Sequence, residues 1–280
     1  MKDLILNLAP TGMVPTRDMS PHVPISPQEI VADCRKCADL GATILHVHAR
    51  DESGKPTWRK EVYARIIGGI RETHPDVIIC VSLSGRNFPE FEHRSDPLFL
   101  DGDLMPDMAS LTLSSMNFAR TESVNAPDMV TRLAETMTER GIRPELEVFD
   151  AGMVNYAHYL TDRGILTGPH YFNILLGNLA TAQATPLHLA AITQGLPENA
   201  FWCAGGIGAA QLPANALGLL FGNGVRVGLE DFLWLDADRK QPATNAQMVE
   251  RIRQLGVTFG KSFASAVEVR KALGIGRHDA

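Results

Sequence analysis

Eight short apolar runs alternate with amphipathic stretches along the whole chain, and this alternation limits the fold more than any other feature. The runs are Leu4–Leu8, Thr43–His48, Val77–Leu83, Ala109–Leu113, Glu145–Phe149, Tyr171–Leu176, Ala200–Ala204 and Val225–Leu229. Between them the period turns helical, over Tyr63–Thr73, Pro127–Arg140, Met153–Arg163 and Gln211–Phe221. Start signals mark further helices. Ser26 precedes Pro27 and stands three residues before Glu29, a capping box with proline at the first helical position. Thr185-Pro186 follows the same logic, and Thr244 with Gln247 and Ser265 with Glu268 open two more helices near the C-terminus. Strands in strict alternation with helices predict parallel βα units. At 280 residues the economical closure is a single-domain α/β fold, a (β/α)8 TIM barrel over residues 1–280. An open doubly wound sheet is the alternative, but no dinucleotide glycine fingerprint follows the first run.

Composition narrows the function classes. Apolar residues at 45% and charged residues at 21% exclude global disorder. A net charge of −6 argues against nucleic acid as a partner. No run approaches the roughly 18–20 apolar residues of a membrane span, and the N-terminal segment reads as a strand. Four cysteines in a chain this long make no disulfide framework, so a cytoplasmic location is expected. Cys34 and Cys37 form C-x-x-C on the apolar face of a helix and read as core thiols. The longest irregular segments, Thr11–Ile25, Ser84–Met108 and Glu230–Ala243, all follow strands and are expected over the catalytic face of the barrel.

Strand alternation puts His46 and His48 on one side, with Val47 on the other. Two imidazoles at a strand's C-terminal end suit a divalent ion; one buried and one exposed histidine is the plain alternative. Arg226 and Glu230 share parity with Gly228 at the eighth strand. The second and eighth strands both flank the first, so their backbones stand roughly 10 Å apart, within reach of a shared ion. A structural Arg226–Glu230 ion pair is the competing reading. Glu145-Leu146-Glu147 alternates again, with one carboxylate expected inside as a base, a pairing partner or a support to a ligand. Ser82, Ser84, Gly85 and Arg86 follow the third strand, and Ser110 lies on the fourth. Their hydroxyls suit a carboxylate or carbonyl, or belong to turns. Gly205–Gly208 either brings backbone N–H groups to a ligand or is simply a turn. His170 opens the sixth strand as a further ligand candidate, while His22, His74, His93, His158, His188 and His278 stand alone.

Taken in order, several motifs resemble the β-keto acid cleavage enzymes. They are Ala9–Gly12, Ile44–Asp51 with Gly54-Lys55-Pro56, Met108–Leu111, Ser115–Phe118, Pro144–Asp150, Gly206–Gly208 and Val225–Asp231, and the similarity covers nearly the whole chain. The resemblance implies a zinc-dependent TIM barrel, a homotetramer, that converts a β-keto acid and acetyl-CoA into acetoacetate and a new acyl-CoA. His46, His48 and Glu230 fall on its zinc ligands. Ser82, Arg226 and Asp231 fall on catalytic positions, with Asp231 as base and Arg226 holding it. Glu147 falls on an inner-barrel glutamate, and Ser110 replaces a threonine. Gly85 and Thr112 fall in the substrate-binding region, Thr112 in place of a common asparagine.

Two further departures bear on specificity. Met13-Val14 stands where the amino-substrate relative has a glutamate, so a neutral or apolar β-keto acid is expected, with Val14 lining its pocket. Ala209-Ala210 replaces an arginine after Gly-Ile-Gly, leaving any anion contact there to another cation, with Arg86 a candidate. The rival chemistry is a metal-dependent aldolase or an HMG-CoA-lyase-like carbon–carbon lyase, which needs no acetyl-CoA. A metal-dependent hydrolase would show itself by ester or amide hydrolysis, and a silent ligand-binding barrel by the lack of bound zinc after native purification.

Overall fold

The computed structural model describes residues 1–276. Eight parallel strands close into a barrel: β1 (Ile5–Leu8), β2 (Ile44–Val47), β3 (Ile78–Val81), β4 (Met108–Thr112), β5 (Arg143–Val148), β6 (Tyr171–Leu176), β7 (Phe201–Gly206) and β8 (Gly224–Val227). Each pairs with its sequence neighbours, and β1 closes the ring by pairing with both β2 and β8. The expected TIM barrel is therefore the fold.

Helices α1 (Pro27–Asp39), α2 (Lys60–Arg71), α3 (Phe91–Ser95), α4 (Pro127–Arg140), α5 (Ala151–Asp162), α6 (Pro186–Thr193), α7 (Gln211–Phe221), α8 (Asn245–Thr258) and α9 (Ala266–Leu273) complete the order. The capping boxes expected at Ser26, Thr244 and Ser265 are all formed. α5 begins earlier than its apolar period predicts because Asp150 caps it, accepting from the N–H groups of Gly152 and Met153. α3 lies unforeseen within the loop after β3. A small hairpin joining Ala49–Arg50 to Pro56–Thr57 is equally hidden in the sequence, because two-residue strands leave no periodic signal.

The two ends of the barrel differ. At the N-terminal end, Ala264, Val269 and Leu273 pack against Ile5, Ile44, Ile78, Met108, Tyr171 and Cys203. α9 is thus a plug, and Arg270 pins it by donating to the carbonyls of Asp76 and Val77 and to Asp107. Each buried Val or Leu contributes about 1.5–3 kcal/mol relative to exposure. The long loops that follow the strands gather at the other end. Among the described residues, no helix is long and apolar enough to cross a membrane. His278 lies outside the described residues.

Candidate active site

The barrel interior carries a polar layer. Glu145 on β5 is fully buried. Its Oε1 accepts from Asn7 Nδ2 at 2.7 Å and from Asn173 Nδ2 at 3.2 Å. Its Oε2 lies 2.5 Å from His46 Nδ1 and 3.4 Å from the Cys80 thiol. Burial pulls the Glu145 carboxyl upward, but His46, Arg226 and the hydrogen bonds outweigh it and hold its pKa at about 2. An ionised Glu145 accepts the Nδ1–H of His46, which orients the ring and turns Nε2 toward the open end of the barrel.

Three donors meet there. His46 Nε2 and His48 Nε2 are 3.3 Å apart, His48 Nε2 is 3.1 Å from Glu230 Oε1, and His46 Nε2 is 3.9 Å from Glu230 Oε2. These three side chains form one of two His/Cys/Asp/Glu groups among the described residues tight enough for a single ion. The other, His46, Cys80 and Glu145, shares His46. In that second group His46 would have to use Nδ1, which already faces Glu145, and burial raises the Cys80 thiol pKa well above its ordinary range. The first group fits a divalent cation on independent grounds. Glu230 Oε2 is buried with no hydrogen-bond partner among the described residues, and with His46 Nδ1–H given to Glu145 the Nε2 lone pair of His46 faces the same point.

The route of Glu230 into the site differs from the parity argument. β8 ends at Val227, so Glu230 is placed by a turn rather than by strand alternation. Gly228 makes the turn at φ +151°, where a Cβ would come within 2.1 Å of the Ala9 carbonyl oxygen. Gly12, at φ +68°, leaves room for the carboxylate arm: a Cβ there would lie 2.6 Å from Glu230 Cγ. Asn245 ties the same segments together, accepting from Leu229 N and donating to the Pro10 carbonyl and Asp33.

Arg226 is the electrostatic hub. Its Nε and Nη2 grip Asp231 at 3.0 and 3.2 Å, Nη2 also reaches Glu230 Oε1 at 2.9 Å, and Nη1 lies 3.3 Å from Glu147 Oε1. The Arg226–Glu230 ion pair is therefore present together with the donor triad, so the two sequence readings are compatible. Burial and the neighbouring Glu230 raise the Asp231 pKa against the pull of Arg226. Burial also raises that of Glu147, whose carboxylate accepts from the Thr112 hydroxyl at 2.6 Å. Both Glu145 and Glu147 face inward, where only one was expected; residues two apart on a strand share a face.

The other expected site residues are placed as follows. Ser82 is buried beside His48, its Oγ accepting from Ser84 N and its carbonyl from the Tyr63 hydroxyl. Ser110 accepts from Leu83 N and so braces that turn. Gly85 packs against Arg94, where a Cβ would meet Nη1 at 2.7 Å. Val14 is half exposed, and Met13 instead lines the cleft beside His48. His170 sits at the N-terminal end of β6 near Thr161, away from the donor triad. His93 stacks on Trp58 in the cleft, a placement its isolated position in the sequence does not signal. All four cysteines are buried free thiols.

Residues 3–275 match the family described as beta-keto acid cleavage enzyme. The chain belongs to that family. The family member from Acetoanaerobium sticklandii, 3-keto-5-aminohexanoate cleavage enzyme, is 33% identical over 99% of this chain and 100% of its own length. Another, 3-oxoadipate:acetyl-CoA acetyltransferase from Cupriavidus necator, is 32% identical over 97% of this chain and 94% of its own. Among solved structures, the complex of ObcA with oxaloacetate superposes with a TM-score of 0.80 at 21% identity, covering 92% of this chain and 68% of that one. At that identity the match supports the barrel alone. Within this beta-keto acid cleavage enzyme family member, the candidate metal-donor triad and the Arg226–Asp231 pair occupy one end of the barrel.

Proposed function

We propose that the chain is a zinc-dependent acyltransferase that converts a β-keto acid, R–CO–CH2–COO−, and acetyl-CoA into acetoacetate and R–CO–SCoA. The observation that carries this reading is the convergence of His46, His48 and Glu230 beside a buried carboxylate, Asp231, held by Arg226. When bound by those three residues, zinc supplies Lewis acidity that stabilises charge developing on the substrate oxygens. Asp231 accepts a proton from the carbon between the ketone and the carboxylate; its raised pKa makes it a better base than an ordinary aspartate. Arg226 keeps that base aimed through two hydrogen bonds. Glu147, bound to Arg226 and Thr112, fixes the other side of the guanidinium. Ser82 donates its hydroxyl to a substrate oxygen, a role supported by its sharing the cleft lining with His48.

The substituent R is neutral or apolar. The cleft running from His48 and Ser82 is lined by Met13, Trp58, Phe88 and Pro97 together with His93 and Arg94, whose guanidinium already donates to the Leu83 carbonyl and Asn125, and no carboxylate is among its lining residues. A cationic substituent there would lack a counter-ion. Self-association as a homotetramer is supported by apolar side chains that the single chain leaves uncovered near and along α6 and α7, including Leu179 at 74% exposure, Leu187 at 75% and Phe221 at 68%. A cytoplasmic setting supplies acetyl-CoA and keeps the four thiols reduced.

A panel of β-keto acids with acetyl-CoA, monitored for acetoacetate, tests the reading. Turnover of neutral substrates, abolished by a chelator and restored by zinc, is the expected result. Cleavage without acetyl-CoA would identify a simple lyase, and a strong preference for amino or trimethylammonium substrates would remove the assignment of R.

A further inference from the structure

Two consecutive peptides in the turn after β3 are each held at both ends. The Ser82–Leu83 peptide accepts from the Tyr63 hydroxyl at 3.1 Å and donates through Leu83 N to Ser110 Oγ at 3.0 Å. The Leu83–Ser84 peptide accepts from Arg94 Nε at 2.7 Å and donates through Ser84 N to Ser82 Oγ at 3.3 Å. This peptide is trans, so it is planar and its C=O and N–H point in opposite directions. The guanidinium that holds the Leu83 carbonyl therefore also sets the direction of the Ser84 N–H, and with it a hydrogen bond to the Ser82 hydroxyl. The Ser82 hydroxyl accepts that bond and donates to no described residue, so its hydrogen is left for a substrate oxygen.

Arg94 stands on α3 and is only 3% exposed. Burial lowers its pKa to about 10, which leaves it charged at neutral pH. Besides the Leu83 carbonyl, it donates from Nη2 to Asn125 Oδ1 at 2.8 Å. Asn125 is fixed in turn, donating from its backbone N to Ser115 Oγ and from Nδ2 to the Ser114 carbonyl. Arg94 thus ties the turn after β3 to the loop after β4. Both acceptors are neutral, and no carboxylate among the described residues forms an ion pair with Arg94. A buried cation without an anion is costly, but the rigid guanidinium fork lets one side chain grip two loops at once. Gly85 makes room for it: a Cβ there would come within 2.7 Å of Arg94 Nη1 and 3.0 Å of the Val124 carbonyl oxygen. Arg94 and Ser82 both border the cleft beside His48.

We infer that Arg94 is a positioning residue of the acyl transfer: it locks the Leu83–Ser84 peptide and thereby aims the Ser82 hydroxyl at the substrate. This inference rests on the reading under Proposed function, which gives Ser82 its donor role. Arg94 acts through the peptide plane and not by contact with the reacting atoms. Without the guanidinium the peptide is free to rotate, the Ser84 N–H leaves Ser82 Oγ, and the hydroxyl spreads over its staggered rotamers. A reacting group misplaced by about 1 Å loses as much as about 10²-fold in rate.

The test is a double-mutant cycle on kcat in the zinc-loaded protein, with Arg94→Met, Ser82→Ala and the two combined. Arg94→Met should lower kcat about 10- to 100-fold in the wild-type background. In the Ser82→Ala background the same change should move kcat by no more than about twofold, because the group it positions is gone. Arg94→Lys restores part of the loss by keeping a donor without the fork. Where Arg94→Met does not fold, Asn125→Ala loosens the same grip and leaves the cation in place; it should cost about 2- to 10-fold in kcat, again only while Ser82 is present. Equal losses with and without Ser82 would overturn the inference, and so would a lower Tm with wild-type kcat, which would make Arg94 a packing residue alone. Hydrogen–deuterium exchange reads the lock without turnover: uptake over Leu83–Arg86 should rise in Arg94→Met, and uptake equal to wild type would refute the lock. Failure of the acyltransfer reading is separable, since the wild type would then show no turnover while the exchange measurement would still decide whether Arg94 holds the peptide.

Discussion

His46 and Glu145 face each other across the barrel, Nδ1 to Oε2 at 2.5 Å, and this contact determines which imidazole nitrogen is offered at the open end. Glu145 is itself held by Asn7 from β1 and Asn173 from β6. The orientation of a candidate metal donor on β2 thus depends on three other strands.

Glu145→Gln keeps the shape of the side chain and removes its charge. Zinc affinity should fall about 10- to 100-fold, the usual effect of losing a carboxylate behind a ligating histidine. Competition with a chromophoric chelator reads this directly. Affinity equal to wild type would show that His46 needs no such support.

Gly12→Ala tests the space made for Glu230. The new methyl group would meet Glu230 Cγ at 2.6 Å, at a positive φ that alanine tolerates poorly. Stability should drop by at least about 1 kcal/mol, a fall of about 2–4 °C in Tm. Zinc content should fall with it. A destabilised variant with wild-type zinc affinity would separate Gly12 from the donor set.

Asp231→Asn removes the proposed base while leaving an oxygen for Arg226. Turnover should fall by about 10²–10⁴, the range for loss of a general base, with zinc content unchanged. Exchange of substrate methylene protons with D2O should slow in parallel. Exchange at the wild-type rate would move the base elsewhere.

Asp33 gives a pH-dependent stability effect. Its pKa is raised, chiefly by burial, above the ordinary aspartate value of 3.8, despite hydrogen bonding to Asn245 and the nearby Lys36. A raised folded pKa means that folding favours the protonated form. The resulting stabilisation is complete below pH 3.8 and is lost as pH rises through the folded value. Asp33→Asn, which retains an acceptor for Asn245, should therefore raise Tm at about pH 7 and raise it less at about pH 4. A lower Tm at neutral pH would show that the charged form is favoured.

Much of this was legible in the linear chain. The eight βα units, the capping boxes at Ser26, Thr244 and Ser265, and the shared face of His46 and His48 are local matters of periodicity, cap chemistry and strand alternation. The candidate acidic donor, Glu230, was legible too, but for the wrong geometric reason: it reaches the site through a turn at Gly228, not along a strand. Glu145 was ambiguous beside Glu147 because both share one face. Only the closed ring brings Glu145 to His46, 99 positions away in the chain.

The sequence by itself therefore determined the repeating units, the family and the residue types able to hold a cation, since each depends on neighbours within a few positions. The tertiary structure decided which nitrogen His46 presents, that Met13 rather than Val14 borders the cleft, and that Arg86 Nε is buried with no hydrogen-bond partner among the described residues. Those outcomes depend on distances between residues on separate strands and loops, and no local pattern encodes such distances until the barrel closes.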